Sequence, residues 1–151
     1  MNSFSHALPY LDLPYVAVGC SLPDWLGAVD RKVRVRERAA TPFLKADDQR
    51  TNELVRGIIQ HHQDDRWFHQ TETFVQLSLQ FSVEIRERLE DPVSFRPGLL
   101  GHILIELMLD AYLQTSRPGT LARYYDQVRS VDPTFVQSVV NTISKRSTTK
   151  L

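Results

Sequence analysis

The stretch Gly57–His69, which reads GIIQHHQDDRWFH, constrains this chain more than any other. It holds three of the five histidines, and His61, Asp65 and His69 follow one another at intervals of four. On a helix each such step turns the side chain by about 40° and advances it by about 6 Å, so the three form one slowly drifting stripe. The same spacing recurs at His102, Glu106 and Asp110. Two complete triplets are more than chance spacing of five histidines supplies. Helical bundles build metal sites in this manner, with Glu, Asp and His projected inward from facing helices.

Those two stripes can meet only if the chain breaks between them. From Thr51 no proline appears until Pro92, and one straight helix over that length would far exceed the usual ten to fourteen residues. A segment folding straight back along it would also set His102 beside the mid-80s, far from His61. Threonine is a ready N-cap, so Gln70–Thr73 is the expected break, with helices over 51–69 and 73–90. Residues 91–98 read as a turn-rich loop. The following segment, 98–115, is almost wholly apolar apart from His102, Glu106 and Asp110. Apolar on every side, it is expected to be buried, where polar groups are costly unless paired. Leu121–Val131 and Pro133–Ile143 give two further helices, and 144–151 reads as a flexible polar tail.

Upstream the signals are weaker. Pro9 and Pro14 interrupt residues 1–20, and Tyr15–Gly19 is a short apolar run suited to a helical turn or a strand. Ser21-Leu22-Pro23 reads as a helix start. Residues 31–38 alternate like a strand and are strongly basic, which suits a solvated loop or a patch for an anionic group or acidic partner. Residues 39–50 read as a loop. The expected architecture is a single all-α domain over residues 1–151, a bundle of five to seven helices around a buried His/carboxylate site.

Composition narrows the setting. Eighteen basic and eighteen acidic residues balance, so no global charge steers the chain toward nucleic acid or a membrane surface. One cysteine, Cys20, precludes an internal disulfide and suits a reducing compartment. It is expected to be a small buried residue. No run approaches the ~20 apolar residues of a membrane span, and no secretory leader pattern opens the chain. A cytoplasmic location is expected, with neither nucleic acid nor membrane as partner.

Imidazole and carboxylate without thiolate suit one or two divalent ions, Mn, Fe or Zn, and disfavour a structural zinc site. His61 and His69 would rise about 12 Å apart on a regular helix, so one ion cannot take both. Either Asp65 bridges two ions or only part of each stripe binds. Two ions sharing carboxylates would activate a water and clamp a phosphoryl group, which points to phosphoester hydrolysis. Glu106 or Asp110 could instead orient the histidines. Asp24 is the candidate third contribution and, with Asp65, a candidate catalytic residue; its alternative is a carboxylate placed for a helix dipole. His6 is a further candidate ligand. Trp25, Trp67 and Phe68 read as core. The competing account is a non-catalytic helical scaffold whose polar stripes form a buried hydrogen-bond network.

Several of these residues also fit a known pattern. Met1-Asn2 with His6, Gly19 with Asp24, Gly57-Ile58 with His61 and Asp65, Phe68-His69, and Glu106 with Asp110-Ala111-Tyr112-Leu113 resemble the acyl carrier protein phosphodiesterase family. That resemblance implies an all-helical, manganese-dependent hydrolase, with the phosphoester of an acidic carrier protein as substrate. The chain departs from the family pattern where His69 replaces a second acid, where Glu106 stands for Asp, and in having His102. The His-x-x-x-acid pairs are similar, more weakly, to those of zinc-dependent phospholipase C and the related single-strand nucleases.

Overall fold

Helix α4 (Gln49–Phe68) is the axis on which the fold is assembled. Its start is fixed by Asp48, whose carboxylate accepts from the Thr51 amide at 2.8 Å, the usual way to satisfy a free helical N–H. It ends at His69, and Thr71 caps the next helix by accepting from the Phe74 amide at 3.3 Å. The break therefore falls where a threonine cap was expected, and α5 runs over Glu72–Arg88. The computed structural model describes residues 1–89 and 96–151; most of the expected turn-rich loop at 91–98 lies outside them.

Before α4 come α1 (Ser3–Ala7), a 3-10 turn at Leu8–Tyr10, α2 (Pro14–Val29), α3 (Glu37–Ala40) and a second 3-10 turn at Thr41–Lys45. After α5 come α6 (Pro97–Ser116), α7 (Thr120–Ser130) and α8 (Pro133–Ile143). The fold is all-α, with no strand among the described residues. Among the described residues eight α-helices exceed the expected five to seven because α1 and α3 are single turns or little more. Residues 39–50, expected as loop, hold the end of α3, the second 3-10 turn and the start of α4. The helix expected to begin near Ser21 begins instead at Pro14, whose fixed φ suits a first turn. Pro23 then lies inside it. It removes one internal hydrogen bond, a cost offset by the complete burial of Val16 to Leu22 around it.

Helices α2 and α4 cross with their backbones almost touching. A Cβ at Gly57 would lie 2.7 Å from the Cys20 amide nitrogen, and closer still to the Val16 carbonyl oxygen. One at Gly19 would lie 3.0 Å from Gly57 Cα. This glycine pair lets Leu22, Leu26, Leu54 and Ile58 close a fully buried core with Val140 of α8. Each such side chain contributes roughly 1.5–3 kcal/mol of burial. A smaller cluster, Phe4, Ala7, Leu11, Ala17 and Tyr124, seats α1 against α2 and α7. In the basic segment Val33 and Val35 are buried in the main core while Arg34 and Arg36 face water, so the alternation is real but belongs to an extended loop.

Three expectations about packing are overturned. Helix α6 is not buried: Leu99, Ile103, Leu107, Met108 and Tyr112 are all exposed. It pairs with α5 as a hairpin that meets the body mainly through α1, so only one side of it is covered. Trp67, expected in the core, is 65% exposed. The 144–151 segment, expected as a flexible tail, packs back on the fold. Thr148 is buried, its amide donating to Asn141 and its hydroxyl to Asp30.

Candidate metal centre

The close α2–α4 crossing presents His61 and Asp65 of α4 to α1, where His6 is fully buried. Ligand atoms of His6, His61 and Asp65 lie within 4.8 Å of one another. His6 Nε2 is 3.2 Å from Asp65 Oδ1, and His61 Nε2 is 3.5 Å from Asp65 Oδ2. The two rings lie 4.1 Å apart between centroids. A second group of the same composition forms where α4 ends, from His69, His102 and Glu106, again within 4.8 Å. Glu106 Oε1 is 3.0 Å from His102 Nε2 and 3.5 Å from His69 Nε2. Phe74, placed by the Thr71 cap, backs both rings at centroid distances of 4.7 and 5.0 Å.

The helical stripes are therefore repartitioned. His61 and Asp65 join His6 from α1, while His69 crosses to His102 and Glu106 on α6. Asp110, expected in the site, belongs to neither group; its carboxylate accepts from the Ser5 hydroxyl. Asp24 stands beside the first group, Oδ1 at 3.8 Å from His61 Nε2 and Oδ2 accepting from Ser3 at 3.0 Å. The groups themselves are adjacent. The Met1 amine donates to Asp65 Oδ1 at 2.7 Å and to Glu106 Oε1 at 3.0 Å, so these two oxygens are no further apart than those distances combined. A cationic group thus already sits between the carboxylates.

Two observations indicate that the residues fit divalent ions. First, His6 Nε2 and His69 Nε2 are buried with no partner in good hydrogen-bond geometry, although each faces the carboxylate of its own group, at 3.2 and 3.5 Å. A buried nitrogen left unpaired is costly and rare, and a metal would satisfy it. Second, the remaining ring nitrogens of the first group are engaged from behind. His61 Nδ1 donates to the Cys20 carbonyl at 2.8 Å, and His6 Nδ1 lies 3.3 Å from Asp64 Oδ2. The Cys20 carbonyl fixes the His61 tautomer that leaves Nε2 as a free lone pair.

The electrostatics agree. Burial, helped by the neighbouring His6 ring, pushes the His61 pKa down to about 3, so it is neutral and able to ligate. Burial alone would raise Asp65, yet the His6 ring and the Met1 ammonium outweigh it and hold that carboxyl well below its usual range. Glu106 is likewise lowered, against its burial, by the Met1 ammonium and His102. Asp24 moves the other way: burial raises it despite its Ser3 hydrogen bond.

Sequence reasoning missed Asp64, to which it gave no role. It also missed the parts played by Ser3, Ser5, the Met1 amine and the Cys20 carbonyl. Only the doubled Asp64-Asp65 after His61-His62 hinted at a supporting carboxylate. A cavity of about 880 Å³ opens beside Asp24 and Asp110, walled by Phe4, Trp25, Tyr124 and Tyr125 and by no lysine or arginine. No helix of the described residues is long and apolar enough to cross a membrane. Fold and site thus define an all-helical protein with adjoining His/carboxylate groups that could bind metal ions. The chain matches no family model, no curated protein and no solved structure.

Proposed function

We propose that this protein is a metal-dependent phosphoester hydrolase with a two-ion centre. The observation that carries the reading is the pair of adjacent two-histidine, one-carboxylate groups, each with a buried ring nitrogen turned toward the carboxylate of its own group. Divalent ions bound there would generate a hydroxide near neutral pH and neutralise charge on a phosphoryl group. His6, His61 and Asp65 would hold one ion and His69, His102 and Glu106 the other, with Mn, Fe or Zn suited to the donor set. Asp65 turns one oxygen toward the Glu106 side and the other toward His61, which supports a bridging role for it. Asp24, its pKa raised by burial and its carboxylate beside His61, would take the proton from the attacking water. The cavity beside it would receive the organic part of the ester. A phosphodiester borne on an acidic carrier protein is one substrate of this class, and a cytoplasmic location suits the lone thiol.

The test is hydrolysis of bis(p-nitrophenyl) phosphate by chelator-treated protein reconstituted with Mn, Fe or Zn. Metal-dependent turnover lost in Asp24→Asn is expected; stoichiometric binding with no turnover on any phosphoester would overturn the hydrolase reading. The scaffold reading draws on the Met1 ammonium, which offsets Asp65 and Glu106 without any metal. On that account His102→Ala lowers stability equally with and without added metal. On the enzyme account the metal-induced rise in melting temperature is what shrinks.

A further inference from the structure

We infer that the cavity of about 880 Å³ beside Asp24 and Asp110 is a site for an organic ammonium group. The inference rests on the proposed hydrolase, and it names the organic part of the ester that the protein takes. Asp24 and Asp110 are the charged residues lining the cavity. Among the described residues neither is ion-paired to a lysine, an arginine or the Met1 amine. The Met1 ammonium is engaged by Asp65 and Glu106 instead. Asp24 accepts from Ser3 and faces His61, which burial keeps neutral. Asp110 accepts from Ser5. Arg34 comes near Gly27 of the lining, its Nη1 3.8 Å from where a Cβ would stand, but does not line the cavity itself. Two partly buried carboxylates therefore line one concavity without a counter-charge.

A concave site lined by charge of one sign concentrates ions of the other sign, and partly buried charges are stabilised by acquiring a partner. The remaining walls select the kind of cation. Phe4, Trp25, Tyr124 and Tyr125 line the same cavity. Aromatic rings attract ammonium groups through their π faces and bury the carbon atoms attached to them. A small hydrated metal ion would gain nothing from such walls. A neutral ring could stack there, but the two carboxylates would add nothing to its binding. An ammonium on a short carbon chain uses both features at once. Within the phosphoester class this favours esters of amino alcohols over the ester on an acidic carrier, whose charge the two carboxylates would repel.

The p-nitrophenyl aminoethyl and p-nitrophenyl propyl esters of phosphate have the same shape and differ in one terminal ammonium. With metal-reconstituted protein, kcat/KM should be roughly tenfold higher for the aminoethyl ester. Asp110→Asn keeps an acceptor for Ser5 and should erase that preference while the metal content stays the same. Binding is read separately from turnover. The chain has two tryptophans, so in Trp67→Phe the fluorescence of Trp25 reports the cavity alone. Phenethylammonium should bind more tightly than neutral phenethyl alcohol, and Asp110→Asn should remove the difference. Should that variant misfold, Tyr125→Leu, at a half-exposed position, should weaken the cation more than the alcohol. Cation binding that depends on Asp110, without turnover of any phosphoester, would support this site and remove the hydrolase. Equal affinity for cation and alcohol, equal turnover of the two esters, or no binding of phenethylammonium at millimolar concentration would overturn the inference. So would a preference indifferent to both substitutions.

Discussion

The two His/carboxylate groups have the same composition and unlike surroundings. The His6–His61–Asp65 group stands on the rigid α2–α4 crossing, with both rings essentially without solvent exposure. The carbonyl of Cys20 and the Asp64 carboxylate fix its ring nitrogens from behind. The His69–His102–Glu106 group joins the body to the hairpin, and its two rings are about one-third exposed. Among the described residues no backbone carbonyl orients either ring. Preorganisation strengthens metal affinity, and loose ligands must be ordered on binding. The first group should therefore hold its ion tightly and the second should exchange. The second ion should also clasp the hairpin to the body.

Several changes would break or sharpen this contrast, and the most severe comes first. Asp65→Ala removes the carboxylate between the groups. Both ions should be weakened and turnover lost to background, read by elemental analysis beside phosphodiester hydrolysis. Asp24→Asn should cost 10²–10⁴-fold in kcat, the range for a lost proton acceptor, while the metal content stays intact. Gly57→Ala forces a Cβ into the α2 backbone. It should destabilise the fold by about 1–3 kcal/mol in a denaturant titration, and loosen the first ion more than the second. Asp64→Asn should weaken only the first ion, by about 10–100-fold, in a calorimetric titration. The mildest effect is one of pH on chelated protein. An unfolded histidine titrates near pH 6.5, and folded His61 only at about 3. Its stabilisation is therefore complete above about pH 6.5 and is lost as pH falls toward 3. Asp65 and Glu106, both lowered, add to that loss at the acid end, while the raised Asp24 opposes it. The melting temperature of chelated protein should fall with acidification over this window, less steeply in His61→Asn.

Local chemistry was what the chain made legible. The Thr71 break, Pro133 at the start of α8 and the limits of α6 and α7 follow from caps, prolines and glycines that act within a turn of themselves. The partition of ligands was not legible in that way. Spacing alone put His61, Asp65 and His69 on one stripe. Which ion each could serve depends on where α1 delivers His6 and how α6 crosses the end of α4. Asp64 escaped notice for the same reason, since its partner His6 lies 58 residues away. The α6 error was of another kind. An all-round apolar helix implies burial somewhere, and here Leu104, Met108 and Tyr112 stay exposed among the described residues.

The most direct measurement is the number of ions bound by chelator-stripped protein, followed by calorimetry with Mn, Fe(II) or Zn under anaerobic conditions where required. Two ions per chain are predicted, binding in two steps of clearly different affinity. His61→Ala should abolish the tighter step, and His102→Ala the weaker one. Absence of stoichiometric binding for all three metals, or a single step unaffected by either substitution, would contradict the two-ion centre.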